Sequence, residues 1–210
     1  MAMNGALWMT EHSGKMTGIN SIGTSCANNP HCKRRRKDNE SVCSKCYADT
    51  YMKMRKALKG RLEDNAEILT TRLLEGNEIP VTNSQVFRFE SFGDLYNSIH
   101  LENYVRICER NPYTHFALWS KNTWILDDVF NAKGVKKPDN LSIVVSSPKL
   151  NEVVEFNRDE YWFVDHVFTV YDKKFIEGND VEINCGSRDC LSCQRCYHRD
   201  TEFYVNEKLK

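Results

Sequence analysis

A chain of 210 residues with 40% apolar and 11% aromatic side chains can bury a substantial core, which excludes a disordered or low-complexity protein. Its 29 lysines and arginines balance 29 aspartates and glutamates, so no whole-molecule field draws it to nucleic acid or to an anionic membrane, and any such contact must be local. No apolar run approaches the roughly 20 residues that span a bilayer, and the start MAMNGALWMTEHSGK lacks the charged head and continuous apolar stretch of a signal peptide, so a cytoplasmic protein is expected.

Along the chain, GKMTGINSIGTS reads as a short strand or hairpin ahead of the first cysteines. Four of these follow, Cys26, Cys32, Cys43 and Cys46, spaced C-x5-C-x10-C-x2-C. In a reducing compartment, clustered thiols are metal ligands or redox groups rather than disulfides. Inside this loop lies the strongest charge run, Lys33, Arg34, Arg35, Arg36 and Lys37. It could meet phosphates, with Tyr47 and Tyr51 near enough to stack on bases. A solvated loop that moderates the negative charge of neighbouring thiolates is the alternative. The next stretch, CYADTYMKMRKALKGRLEDNAEILTTRLLEGN, reads as one helix leading from Cys46 and another ending near Gly76.

Four apolar, β-branched runs then recur at intervals of about 25 to 30 residues, the length of a strand, a helix and two turns. They are VFRFE (86–90), THFALWS (114–120), LSIVVSS (141–147) and HVFTVYD (166–172). Of the connectors, SIHLENYVRICERN and NTWILDDVFNAKG have helical apolar faces, and PKLNEVVEFNRDEYW is expected to be a third, weaker helix. The expectation is an α/β protein, a partial (β/α) barrel or open parallel sheet, with two cysteine-ligated metal sites near the chain ends. It is read as one domain: 14–60 holds the N-terminal cysteine motif and a helix, 81–175 the β/α core, and 181–200 the C-terminal cysteines. Ligands in such sheets gather where parallel strands end. Those ends offer Glu90, Ser91, Asp94, Lys121, Asn122, Ser146, Ser147 and Asp172, although Asp94 or Asn122 could simply cap the following helix.

The last motif is CGSRDCLSCQRC, with Cys185, Cys190, Cys193 and Cys196 spaced C-x4-C-x2-C-x2-C. Cysteines every three residues let one loop wrap a face of a cubane, which favours a [4Fe–4S] cluster here; the N-terminal set suits iron or zinc, and zinc is the alternative metal at both. Either site could be a staple and nothing more. His31 and His198, beside Cys32 and near Cys196, could be substitute or outer ligands. Cys108, His100, His115 and His166 read as structural.

The ordered motifs GINSIGTSCANNPHC, CSKCYAD, VFRFESFGDLYNS, HFALWSKN, LSIVVSSPKLN, VFTVYD and INCGSRDCLSCQRCY resemble the phage and mobile-element family called gene product 88, from about residue 14 through almost the whole chain. The chain is also distantly similar to radical S-adenosylmethionine enzymes. These join a partial barrel to an N-terminal cysteine motif, here CSKCYA, and have a glycine-rich acidic turn that holds the methionine end of the cofactor, here FESFGD. The resemblance implies an iron–sulfur phage protein of radical-S-adenosylmethionine-like architecture, a redox or radical enzyme in the cytoplasm of a bacterial host. It would carry one or two [4Fe–4S] clusters and use S-adenosylmethionine. Ser91, Gly93 and Asp172 would contact that cofactor, and Glu90, Asp94, Lys121 and Ser146 would line the catalytic cavity. Two departures bear on this: ten residues separate Cys32 from Cys43 where the radical enzymes have three, and Cys26 adds a fourth thiol that would close the iron needed by S-adenosylmethionine. The alternative is a non-catalytic protein with iron–sulfur or zinc staples that binds a host protein or nucleic acid through residues 33–37.

Overall fold

The apolar runs form strands at the expected places because nearly every position in them is buried. In the computed structural model, which describes residues 2–186 and 189–209, they are β4 (Val86–Phe89), β5 (His115–Ser120), β6 (Leu141–Ser146) and β7 (His166–Tyr171). Ser187 and Arg188 of the last motif lie outside the described residues. Ahead of these strands stand β1 (Ala2–Asn4), β2 (Leu7–Glu11) and β3 (Asn20–Ile22), and behind them β8 (Tyr204–Lys208). All eight make one sheet in chain order, antiparallel through β1, β2 and β3 and parallel from β3 to β8. β1 does not pair with β8, so the sheet is open.

Strand alternation divides the sheet into two faces. Phe87, Phe89, Phe116, Leu118, Ile143 and Val145 meet Leu101, Tyr104, Ile107 and Cys108 of α4 (Ser98–Arg110) in the main core. Helix α3 (Lys56–Thr71) contributes Leu69, and α5 (Thr123–Asp127) contributes Ile125 and Leu126 before a π-helical turn, Asp128–Ala132. The intervening positions Val86, Ala117, Val144, Phe168 and Val205 face the other way. They pack against Ile19, Tyr197, Cys185 and Cys196, so the C-terminal cysteine segment covers the second face.

Three expectations are corrected. The third connector is turn and coil, not a helix: Asn151 sits at φ 62, in the left-handed region, and donates its N–H to Val170 across 2.9 Å, while Val153, Val154 and Phe156 pack against the core. The KRRRK run is not a loop but the body of helix α1 (Pro30–Lys37). Pro30 suits the first turn and the Asn29 side chain accepts the His31 and Cys32 amides. After α2 (Tyr47–Met54), α3 stops at Thr71, short of Gly76. The β1–β2 hairpin was not anticipated; Gly5 turns it at φ 59, where a Cβ would lie 2.2 Å from the Glu78 carbonyl oxygen.

One buried charge braces the end of the core. Lys137 donates to the Phe163 carbonyl (2.9 Å) and to Asp165, whose other carboxylate oxygen takes Arg199 at 3.1 Å. Lys137→Met should destabilise the fold by about 3 kcal/mol, since it strips a buried carboxylate of one partner. Chemical denaturation checks this. Burial holds the Lys137 ammonium down to about 8 against an ordinary 10.5, so the unfolded chain keeps this proton where the folded one has released it. Wild-type stability should therefore gain on the variant as pH rises between those values.

Candidate metal centres

The C-terminal centre is assembled from two places. Cys185 is set beside β8, its amide donating to the Asn206 carbonyl at 3.0 Å. The others come from the short helix α7 (Cys190–Cys193) and the turn after it. Asp189 caps α7 by accepting the Ser192 amide at 2.8 Å, and Gln194, at φ 50, bends the chain so that Cys196 returns toward Cys190. His166 pins this loop from β7 by contacting the Glu202 carbonyl (2.9 Å) and the His198 carbonyl (3.0 Å). The result is a cavity of about 310 Å³ whose walls include all four cysteines, Lys15, Arg88, Trp119 and Tyr197.

Its electrostatics favour an anionic guest. Burial pushes the Cys196 thiol up to about 12, with Cys185 and Cys190 adding to the effect, and burial raises Cys190 as well. Four thiolates here would need cations. Two are present: Lys15 Nζ lies 3.1 Å from Cys185 Sγ and 2.9 Å from Glu207, and Arg88 lies over Trp119 at 4.3 Å with its Nε buried and without a hydrogen-bond partner. Burial opposes the Lys15 charge, but its bonds to Glu207 and Cys185 raise its affinity for the proton.

At the N-terminal centre, Cys26 follows β3, Cys32 lies in α1, Cys43 sits in the turn Val42–Lys45, and Cys46 is the residue from which α2 starts. Cys26 hydrogen-bonds to Cys46. That bond, the Asp49 and Ala48 amides and the Arg36 charge hold the Cys46 thiol down to about 6, while the same bond and burial raise Cys26. Cys32 is raised by burial, then by Asp94 and Cys43. Among the described residues, no three His, Cys, Asp or Glu side chains converge closely enough to hold one metal ion, at either centre.

The strand-end residues border the N-terminal centre. Glu90 accepts from the Thr24 amide (3.3 Å), the Thr24 hydroxyl (3.0 Å) and the Tyr104 hydroxyl. Asp94 accepts from Ser120 (2.6 Å), the Lys121 amide (2.9 Å) and the Leu95 amide (2.8 Å). Both carboxylates thus hold loops. Lys121 Nζ reaches Ser146 Oγ at 2.9 Å, and Ser91 meets Ser21 at 2.9 Å. Gly93 is a close approach: a Cβ there would stand 2.5 Å from Glu90 Oε2 and from the Thr24 carbonyl oxygen. Asp172 does not join them. It ends β7, three strand spacings or roughly 14 Å from β4, and caps α6 (Lys173–Asn179) while pairing with Asn151 at 2.7 Å.

Near the N-terminal centre, His31 is buried with its Nε2 unpartnered, and the His198 ring near Cys196 lies 4.5 Å from the His115 ring, tilted by 55°. His100 lies 3.3 Å from Glu90. Sequence reasoning missed Lys15, Arg88, Trp119 and Tyr104. The alternation in VFRFE, which turns Arg88 away from Phe87 and Phe89, is the signal that could have found Arg88; Lys15 left none. Compared with protein-family models, curated proteins and solved structures, the chain matches none.

Proposed function

We propose that this chain is an iron–sulfur protein in which Cys185, Cys190, Cys193 and Cys196 hold a [4Fe–4S] cluster and three of the four thiols Cys26, Cys32, Cys43 and Cys46 hold a second, leaving one iron open. The observation that carries the reading is the C-terminal cavity. All four cysteines wall a space of about 310 Å³ together with two cations, Lys15 and Arg88. Zinc draws its sulfurs to about 2.3 Å from one point, whereas a multi-iron cluster needs a wider cage with four separated thiolates. Such clusters supply one-electron transfer. The protein's share is to fix the thiolates, balance their charge through Lys15 and Arg88, and cover them with Trp119 and Tyr197.

The N-terminal centre is the working one in this proposal. It adjoins the turn of Glu90, Ser91, Gly93 and Asp94, with Lys121 and Ser146 one and two strands further on. A radical S-adenosylmethionine reaction there requires that one of the four thiols stay off the iron. The proposal is tested by iron, sulfide and zinc analysis of protein purified without oxygen, followed by electron paramagnetic resonance of the reduced form with and without S-adenosylmethionine. Iron and sulfide in equal amount, and a signal that shifts with the cofactor, are the expected results. Zinc without sulfide would overturn the cluster assignment, and an indifferent signal would overturn the radical chemistry.

Lys15 provides a sharper check on the C-terminal centre. Its hydrogen bond to Cys185 favours the more negative, reduced state, so Lys15→Met should lower the reduction potential by on the order of 50–100 mV without loss of iron. A redox titration reads this directly, and an unchanged potential would remove Lys15 from the centre.

A further inference from the structure

We propose that the flank of α2 bearing Tyr47 and Tyr51, together with Phe92, His12 and the basic helix α1, binds single-stranded nucleic acid, the rings stacking on bases and the cations meeting phosphates. This goes beyond the iron–sulfur reading and does not rest on it, because the rings and the cations, not the cysteines or what they hold, would meet the ligand.

The charge of this neutral chain is unevenly placed. Residues 33–61 carry eleven of the 29 cations and three of the 29 acids, a net +8. Asp49 takes Arg36 and Lys53, which removes Arg36 from the set free to meet a ligand. Among the described residues, Lys33, Arg34, Arg35, Lys37, Lys45 and Lys56 have no carboxylate within 4.0 Å. An excess of that size within one short stretch of chain, with the unpaired Lys33, Arg34, Arg35 and Lys37 together on α1, is an electrostatic footprint for a polyanion.

Beside it lies a group of exposed rings. Tyr47 is 59% exposed, Tyr51 40% and Met54 68%. The two tyrosine rings are 6.5 Å apart at 84°, each is 6.3 or 6.4 Å from Phe92, and His12 stacks on Phe92 at 5.9 Å. Arg55 lies 5.0 Å over Tyr51. The rings are anchored: the Tyr47 hydroxyl donates to the Ser91 carbonyl, and His12 Nε2 meets Ser21 Oγ at 2.7 Å. Burial and the Arg88 charge hold His12 down to about 4, so it presents a neutral ring.

Helical geometry relates the two halves. Positions 47 and 51 share one flank of α2, whereas Asp49, which binds Arg36 of α1, points to the other. The rings and the basic helix are therefore about one helix diameter apart, ~10 Å. A strand crossing α2 could lay bases on one side and phosphates on the other. The strongly tilted rings offer separate stacking faces, which suit unpaired bases; a duplex hides its base faces, and a lipid surface would ask for one continuous apolar face.

The test is fluorescence anisotropy with labelled oligothymidylate and oligouridylate of about 15 nucleotides, using the full chain purified without oxygen. Single strands should bind at least about tenfold tighter than a duplex of equal length. Tyr51→Ala should weaken binding about tenfold while Tyr51→Phe keeps it. Replacing Lys33, Arg34 and Lys37 by Gln should flatten the dependence on salt between about 50 and 200 mM. Tyr51 is exposed, so a thermal melt should confirm that these variants fold. Absence of binding at the lower salt, equal affinity for duplex, or indifference to Tyr51→Ala would overturn the proposal. So would preferential capture by phosphatidylserine vesicles or by polyglutamate, each pointing to a different partner.

Discussion

Cys196→Ser should release about half of the bound iron and open residues 184–203 to proteolysis while the rest of the sheet stays folded. Beyond its cysteines, the described part of this segment is tied to the sheet mainly at its two ends, by Asn184 and Cys185 against Asn206 and by Arg199 against Asp165. Tyr197 packs with Ile19, Val86 and Ala117, His166 holds two of its carbonyls, and Arg195 pairs with Glu202 at 2.7 Å. The main core lies on the opposite face and, among the described residues of the segment, takes in Phe203 at its edge. Metal binding is therefore expected to supply most of its order, as ligation free energy commonly does in small metal-held loops. Limited proteolysis read by mass spectrometry, with iron analysis of the same sample, checks both halves. Unchanged iron together with unchanged resistance would contradict the assignment of Cys196 as a ligand.

Glu90→Ala should cost about 4 kcal/mol of stability, the largest expected effect of a single change outside the cysteines. Glu90 is only 3% exposed and sits at φ 55, where a side chain is strained by about 1–2 kcal/mol. Its carboxylate holds it there by collecting Thr24 from the loop after β3 and Tyr104 from α4, with His100 alongside. Alanine keeps the strain and orphans these donors. Glu90→Gly relieves the strain yet loses the same bonds, so it should be less damaging than alanine by about 1 kcal/mol. Equilibrium denaturation of the two variants gives the comparison. Alanine matching wild type would mean that the carboxylate does not hold this junction. Any loss of activity on changing Glu90 must accordingly be read against loss of fold.

What the residues announced in advance follows from which interactions are local. The four central strands were legible because Val, Ile, Phe and Leu fill seven of the twelve positions of LSIVVS and HVFTVY, with no charged residue between them, as in a sheet covered on both faces. Helix α4 was legible from its apolar stripe. The hairpin of β1 and β2 was not, since its strands are short and mixed, and its support comes from Asn65 of α3, which bonds the Trp8 backbone at 2.8 and 2.9 Å. Helix α1 was hidden by its own charge, and only Asn29 and Pro30 mark its start. The third connector misled because its apolar residues suggested a helical face, while Asn151 had already broken the turn.

The site divided in the same way. Two groups of four thiols could be read from spacing; the C-terminal four line one cavity, while among the described residues neither group brings three ligating side chains together around one ion. The loops that gather them rest on contacts between residues far apart in sequence, such as Lys15 with Cys185, which no local pattern encodes. Glu90 and Asp94 were singled out as strand-end carboxylates. Their full sets of hydrogen-bond donors, which tie the strand ends to neighbouring loops, emerge only in three dimensions.

Mössbauer spectroscopy of protein produced on enriched iron and purified without oxygen tests the central claim most directly. Two thiolate-ligated four-iron clusters per chain, one of them lost in Cys196→Ser, are the predicted result. A spectrum of mononuclear iron, or protein that carries zinc and no iron, would contradict it.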